Sequence, residues 1–189
     1  VENMNLLSRV GNSDFARDLD KLGLNNWQAR KANVRKKIKD MAEKLIRVAA
    51  QREIILTEKL SLPNHYDEFS KQFPFELTDD QDTAINDIIS DLETGKLMDR
   101  LICGDVGFGK TEVALRASFI VANSGFQVAL VAPTTILVKQ HIKSFKSRFK
   151  NTTVKVVGLS RMTNNKDRLI IKAGLRSGDI NIVIGTHAL

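Results

Sequence analysis

With 189 residues, 42% of them hydrophobic and 27% charged, the chain is long enough to bury one sizeable core and too mixed in composition for a disordered or fibrous protein. Its 29 Lys and Arg against 22 Asp and Glu leave a formal net charge of +7, a balance that fits either a polyanionic partner or a plain solvated surface. A single cysteine, Cys103, excludes an intramolecular disulfide, and His65, His141 and His187 are too scattered to form a structural metal site.

No apolar run approaches the ~20 residues of a membrane span. The opening Val1-Glu2-Asn3-Met4-Asn5 lacks the basic-then-apolar pattern of a secretory signal. With the lone cysteine, this predicts a cytoplasmic protein without a membrane partner. A start on Val1 in place of Met predicts a piece of a longer polypeptide.

In chain order, residues 1 to 25 are short and mixed, with a turn at Gly11-Asn12-Ser13-Asp14. Residues 26 to 60 contain no Pro or Gly, and Val34, Ile38, Met41, Leu45 and Val48 recur at spacings of four and three. That periodicity predicts one long amphipathic connector helix. Its polar face carries Arg30, Lys31, Arg35, Lys36, Lys37, Lys39, Lys44 and Arg47, which reads as a solvated face or as a DNA contact. Breaks follow at Ser61-Leu62-Pro63-Asn64 and Phe73-Pro74-Phe75. Thr78 is then placed to cap a helix using Ala84, Ile85, Ile88, Ile89 and Leu92, with Gly95 ending it.

Residues 104 to 111, Gly104-Asp105-Val106-Gly107-Phe108-Gly109-Lys110-Thr111, complete the pattern G-x-x-x-x-G-K-T. The preceding Leu101-Ile102-Cys103 reads as a buried parallel strand, with Cys103 in the core. Val113, Ala114, Ala117, Phe119, Ile120 and Val121 give the following helix an apolar face. In that context glycines let successive N–H groups point inward at phosphate oxygens, and the helix adds its positive end. Lys110 is placed to reach the β/γ-phosphates of a nucleoside triphosphate and the Thr111 hydroxyl to ligate Mg²⁺. The Asn-Lys-x-Asp element of a GTPase is absent; Asn164-Asn165-Lys166-Asp167 has the wrong order.

Beyond it, strands are expected near 127 to 132, 153 to 158 and 180 to 185, with helices over 134 to 149 and 164 to 177, the alternation of a parallel α/β sheet. Three loops follow those strands: Ala132-Pro133-Thr134-Thr135, Gly158-Leu159-Ser160-Arg161 and Gly185-Thr186-His187. Their hydroxyls and free N–H groups suit a grip on a sugar-phosphate backbone, or they simply cap helices.

This order of motifs resembles superfamily 2 helicases and translocases, whose first RecA-like lobe binds ATP at the phosphate loop and a nucleic-acid strand at such loops. Phe75-Glu76-Leu77-Thr78-Asp79-Asp80-Gln81 resembles that superfamily's adenine-recognition segment, in which Gln81 could pair with the exocyclic amine and N7 edge of adenine. Phe73 to Thr78 and Met98 to Ala114 further resemble the bacterial transcription-repair coupling factors, Mfd-type DNA translocases. RecG-type fork helicases are their close relatives but usually carry Ser where Phe108 stands. Val1-Glu2-Asn3, Leu19-Asp20-Lys21-Leu22-Gly23, Trp27 and the basic helix with Met41-Ala42 are similar to the end of that family's RNA-polymerase-interacting module and its connecting helix.

The resemblance implies three regions: the end of the polymerase-interacting module (1–25), the connector helix (26–60) and the first part of a RecA-like P-loop lobe (61–189), its parallel sheet incomplete at the C-terminus. It implies ATP and Mg²⁺ as cofactors. The nucleotide site would be Phe75, Leu77, Gln81 and 104–112 through Glu112, with Lys110 and Thr111 catalytic. Pro133, Thr134, Thr135, Ser160, Arg161, Gly185, Thr186 and His187 would contact DNA. It also implies movement on double-stranded DNA that displaces stalled RNA polymerase and recruits excision-repair proteins. The alternatives are a RecG-like fork helicase or a nucleotide-binding interaction module that does not translocate. No D-E-x-H motif and no arginine finger are present, so this stretch alone is expected to bind ATP weakly and hydrolyse it negligibly. An unpaired sheet edge would favour self-association over a marginally stable monomer.

Overall fold

The structure is a computed structural model that describes residues 25 to 187 and Leu189. Except for Asn25, the segment expected to end a polymerase-interacting module lies outside the described residues. The chain divides into two compact units, Val1–Arg52 and Glu53–Leu189.

In the first unit the described residues belong to α1 (Asn25–Ile54), which has 30 residues. At 1.5 Å per residue it is about 45 Å long. Its apolar stripe, Val34, Ile38, Met41, Leu45 and Val48, is exposed throughout. The helix ends six residues short of the expected 60. The Thr57 N–H donates to the Gly95 carbonyl at 2.7 Å, the Leu60 N–H donates to Leu92 O at 3.0 Å, and Leu56 bridges Lys96 antiparallel. Those carbonyls belong to the last turn of another helix, which leaves them without intrahelical donors. An extended strap there satisfies both segments.

The second unit contains α2 (Tyr66–Lys71), α3 (Asp79–Thr94), α4 (Lys110–Asn123), β1 (Val128–Val131), α5 (Thr135–Arg148), β2 (Val156–Leu159), α6 (Asn165–Ser177) and β3 (Ile182–Gly185). The sheet is parallel with order β1-β3-β2. Ile182-Val183-Ile184-Gly185 is buried at every position, as a strand paired on both sides and covered on both faces must be. This is the RecA-like α/β arrangement, with β1 and β2 each paired on one edge.

Phe69 of α2, Phe119 of α4 and Phe145 of α5 meet Ile182 and Ile184 in one core cluster, with Phe69 stacked on Phe119 at 4.2 Å between centroids. Helix α2 lies between the two expected breaks, in a stretch for which no element is expected from the sequence. Packing of Tyr66 and Phe69 makes that turn. A second cluster, Ile85, Ile88 and Val113, joins α3 to α4. Helix α3 has the expected ends: Thr78 accepts from the Gln81 N–H within a full capping box, and Gly95 at φ 71° closes the last turn. Gly158 in β2 faces Ile142 of α5 so closely that a Cβ there would overlap the Ile142 Cδ1 atom.

Leu101-Ile102-Cys103 is corrected. The run forms no strand, Leu101 is 85% exposed, and Cys103 is exposed and outside the core. A parallel strand exists only with a ladder partner, and among the described residues none pairs with this segment. Side chains anchor it: Arg100 donates from Nε to Asp91 and from Nη1 to Asp87, each at 2.7 Å, on α3. The Asp91 hydrogen bond, with attraction to both carboxylates, raises the Arg100 pKa further against partial desolvation.

Behind the phosphate loop, Glu112 is 3% exposed and its Oε1 accepts from Arg116 Nε at 2.9 Å and Arg148 Nη2 at 2.7 Å. Arg148 Nη1 also donates to Phe69 O, and its guanidinium lies 4.5 Å from the Phe69 ring centroid. One carboxylate thus ties α4 to α5 and α2. Removing one member of a buried ion network costs about 3 to 5 kcal/mol. Glu112→Gln is therefore expected to lower the urea midpoint of the chain sharply. Lys143→Gln on the exposed face of α5 should leave the unfolding free energy within about 0.5 kcal/mol of wild type.

Candidate nucleotide and nucleic-acid site

The loop from Gly104 to Gly109 leads straight into α4, whose N-cap is Gly109 at φ 68°. Gly107 has φ 89°. Both lie in the left-handed region that only glycine enters without cost. Gly109 has a further reason: a Cβ there would overlap the Gln81 amide nitrogen. The turn is pinned by Phe108 N–H to Asp105 O at 3.4 Å and Glu112 N–H to Gly109 O at 2.8 Å. The amides of Gly107, Gly109, Lys110 and Thr111 have no backbone acceptor among the described residues. Those of Gly109, Lys110 and Thr111 are the orphan donors of a helix start, concentrated at its positive end, and that of Gly107 lies in the loop just before it.

Lys110 folds back into the loop. Its Nζ donates to the Gly104 carbonyl and, at 2.6 Å, to the Asp105 carbonyl. The ammonium sits where it can meet an anion lying on those free amides. Thr111 is half-buried at the next position. Glu112, expected beside the nucleotide, instead spends its carboxylate on Arg116 and Arg148.

An open cavity of about 520 Å³ adjoins the loop, lined by Phe73, Phe75, Glu76, Thr78, Gln81 and residues 106 to 109. Phe75 is 72% exposed and packs edge-on against Phe73, 5.5 Å between centroids. An exposed aromatic beside a phosphate-type loop offers a flat base a stacking face. Sequence reasoning missed Phe73 as part of this wall, though the Phe73-Pro74-Phe75 triplet was the signal. Leu77 lies beneath, packed on the α3–α4 cluster. Gln81 spans both parts of the site: its Oε1 accepts from the Thr78 N–H at 3.1 Å and its Nε2 donates to the Phe108 carbonyl at 2.9 Å. Adenine recognition by Gln81 would exchange the Phe108 bond for a base edge.

The other predicted residues gather on one rim. In the sheet register Val131, Gly185 and Leu159 are level neighbours. The loops that follow therefore leave the same edge in the spatial order 132–135, 185–187, 158–161. Thr134 caps α5 by accepting from the Leu137 N–H at 3.3 Å; Pro133 and Thr134 are exposed and Thr135 is half-buried. The Ser160 hydroxyl accepts from the Met162 N–H, and the Ser160 N–H donates to the Thr163 hydroxyl, so part of its hydrogen-bonding capacity is spent on its own turn. Arg161 and His187 are exposed, Thr186 is half-buried, and Gly185 is buried, its carbonyl accepting from the Ala132 N–H. Helix α4 packs on β1, and only residues 124 to 127 separate the end of α4 from the start of β1. The two therefore run antiparallel, which puts the phosphate-type loop at the strands' carboxyl edge, where open α/β sheets bind ligands. Among the described residues no group of acidic, His and Cys side chains could hold a metal alone, and no helix is long and apolar enough to cross a membrane.

The chain is similar over its full length to the transcription-repair-coupling factors of Rickettsia bellii, at 49% identity across 194 aligned residues, and Haemophilus influenzae, at 46% across 195. It spans only about 17% of the length of each of these curated relatives. Among solved structures it resembles RecG bound to a three-way DNA junction, with a TM-score of 0.70 and 38% identity, over 76% of this chain and 20% of that one. Residues 78–189, which begin at the Thr78 cap of α3 and take in the phosphate-type loop and all three rim loops, match the DEAD/DEAH box helicase family. The chain belongs to that family.

Proposed function

We propose that the chain is part of the ATP-driven motor of a double-stranded DNA translocase of the transcription-repair coupling type, one that displaces stalled RNA polymerase and hands the site to excision repair in the cytoplasm. Full-length similarity to coupling factors supports this reading. The observation that carries it is a phosphate-type loop and three hydroxyl-bearing loops on the same edge of one sheet. Polymerase and excision-repair proteins are the partners this reading assigns to the longer protein. A RecG-like fork remodeller is the second reading, favoured by the 38% identity to the junction-bound structure.

Family membership implies use of a nucleotide with a metal ion, and the residues present fit both. The free amides of Gly107, Gly109, Lys110 and Thr111, with the Lys110 ammonium, would hold the phosphates. The Thr111 hydroxyl and the nucleotide's own phosphates would hold Mg²⁺, which supplies charge neutralisation at the transferred phosphoryl group. Phe75 would stack on the base, Gln81 would read its edge, and Leu77 would set the floor. Glu112 would act by fixing the start of α4. Pro133, Thr134, Thr135, Ser160, Arg161, Gly185, Thr186 and His187 would grip one backbone without reading sequence.

Lys110→Ala should weaken binding of a fluorescent ATP analogue to this chain at least about tenfold, or ~1.4 kcal/mol. Unchanged affinity would remove the phosphate assignment. In the full-length protein the same substitution should abolish polymerase displacement and leave polymerase binding intact; a bare interaction module would show no displacement to lose. Gln81→Ala should narrow the preference for ATP over GTP by roughly tenfold, about the 1 to 3 kcal/mol of one well-made base-edge contact. A competition titration with the two nucleotides reads that ratio, and an unaltered ratio would place base recognition elsewhere. Steady-state assay of this chain with duplex DNA should show negligible ATP turnover.

A further inference from the structure

From Val113 to Lys166 the chain contains no Asp or Glu, while Lys and Arg recur from Lys139 onward. Lys139, Lys143, Lys146 and Lys150 within that stretch are spaced by four, three and four residues. Those intervals put the first three on one face of α5 and the fourth in line just past its end. All four are exposed, and among the described residues none is paired with a carboxylate. Arg148, interleaved with them, is turned inward to Glu112, so solvent meets a row of ammonium groups with no compensating acid on the helix. A cavity of about 500 Å³ runs beside the row between α5, β2 and α6, and its lining joins Lys139 and Lys146 to Thr135 and Ser160 of the rim loops. The one carboxylate on that lining, Asp167, already accepts from the Asn164 amide and backbone-caps α6 with it.

We propose that this lysine row on α5 is a second phosphate track that engages duplex DNA beyond the strand held at the rim. The inference rests on the rim reading given above. Helix α5 begins at the rim with Thr135 and runs away from it, so Lys139 lies about 6 Å along the axis and Lys150 about 22 Å. A single strand lying across the strand ends passes Lys139 and misses the rest. A duplex carries a charge every ~1.7 Å of its axis on two backbones and is broad enough to lie on the α5 face while one strand stays on the rim. Flexible ammonium groups on a helix that carries no acid of its own suit contacts that must hold backbone at any sequence and release it as the duplex advances.

The test is fluorescence anisotropy of this chain with a labelled duplex and a single strand of equal length, from about 50 to about 200 mM salt, where backbone contacts dominate the salt dependence. The triple variant Lys143→Gln, Lys146→Gln, Lys150→Gln is expected to reduce the duplex slope of log K against log salt by about 2 to 3, at ~0.9 for each phosphate no longer neutralised, and to leave the single-strand slope unchanged. The corresponding triple Lys→Arg variant should restore the duplex slope. An unchanged duplex slope overturns the proposal and leaves the face solvated or given to an acidic protein. An equal loss on single strand and duplex, or failure of the Arg variant to restore, overturns it as well. The rim has its own readout: Arg161→Gln should weaken both DNA forms alike, and an Arg161→Gln variant that binds both normally overturns the rim reading whatever the lysines do.

Discussion

Everything on the functional edge of this lobe depends on the burial of β3. Its four residues hydrogen-bond to a neighbour on each side and are covered above and below, so neither register nor face can slip without bringing Ile182 and Ile184 into water. Because the pairing is parallel and level at Val131, Gly185 and Leu159, three loops distant in sequence open side by side. At ~4.8 Å between strands the outer two are separated by only about 10 Å of sheet. A constraint that concerns apolar area alone thus fixes the spacing of polar groups that touch nothing in the core.

The phosphate-type loop is held differently. Its entry segment makes no ladder bonds, and what locates it are the two carboxylates of α3 gripping Arg100 and the Gln81 amide on Phe108 O. At the far end of the loop, Glu112 fastens α4 to α5 and α2. The loop therefore lies between a clamp on one side and a buried ionic tie on the other, both made by side chains from other helices. Such a loop can change its internal hydrogen bonds, those of Lys110 above all, while its two ends stay in place.

How legible this was in the sequence varied with the kind of force involved. Capping was legible: Thr78 and Gly95 lie where local hydrogen bonding and a positive φ demand. So were β1, β2 and β3, each four residues long where six are expected and β2 running one residue past its expected end, and the common rim follows once they are parallel. Leu101-Ile102-Cys103 read as a strand because apolar periodicity reports what a segment prefers, whereas a strand requires a partner that periodicity cannot name. The end of α1 at Ile54 was illegible for the matching reason: the competitor for its last residues was a set of carbonyls near Gly95, some forty positions away. The family resemblance puts Glu112 in the nucleotide site and says nothing of where its carboxylate goes. Its side-chain partners are Arg116, one turn along α4, and Arg148, which packing of α5 brings to it.

Gly158 sits where β2 and α5 approach most closely, with Ile142 occupying the space any side chain would need. The missing methyl lets α5 lie flat on the sheet, and α5 carries Thr134 at one end and Arg148 at the other. A single added carbon at this position would meet the Ile142 Cδ1 atom, and that side chain would have to turn aside. Ile142 also lines the open space between α5, β2 and α6. One hydrogen atom in the middle of a strand thereby sets where a side chain of the neighbouring helix can rest.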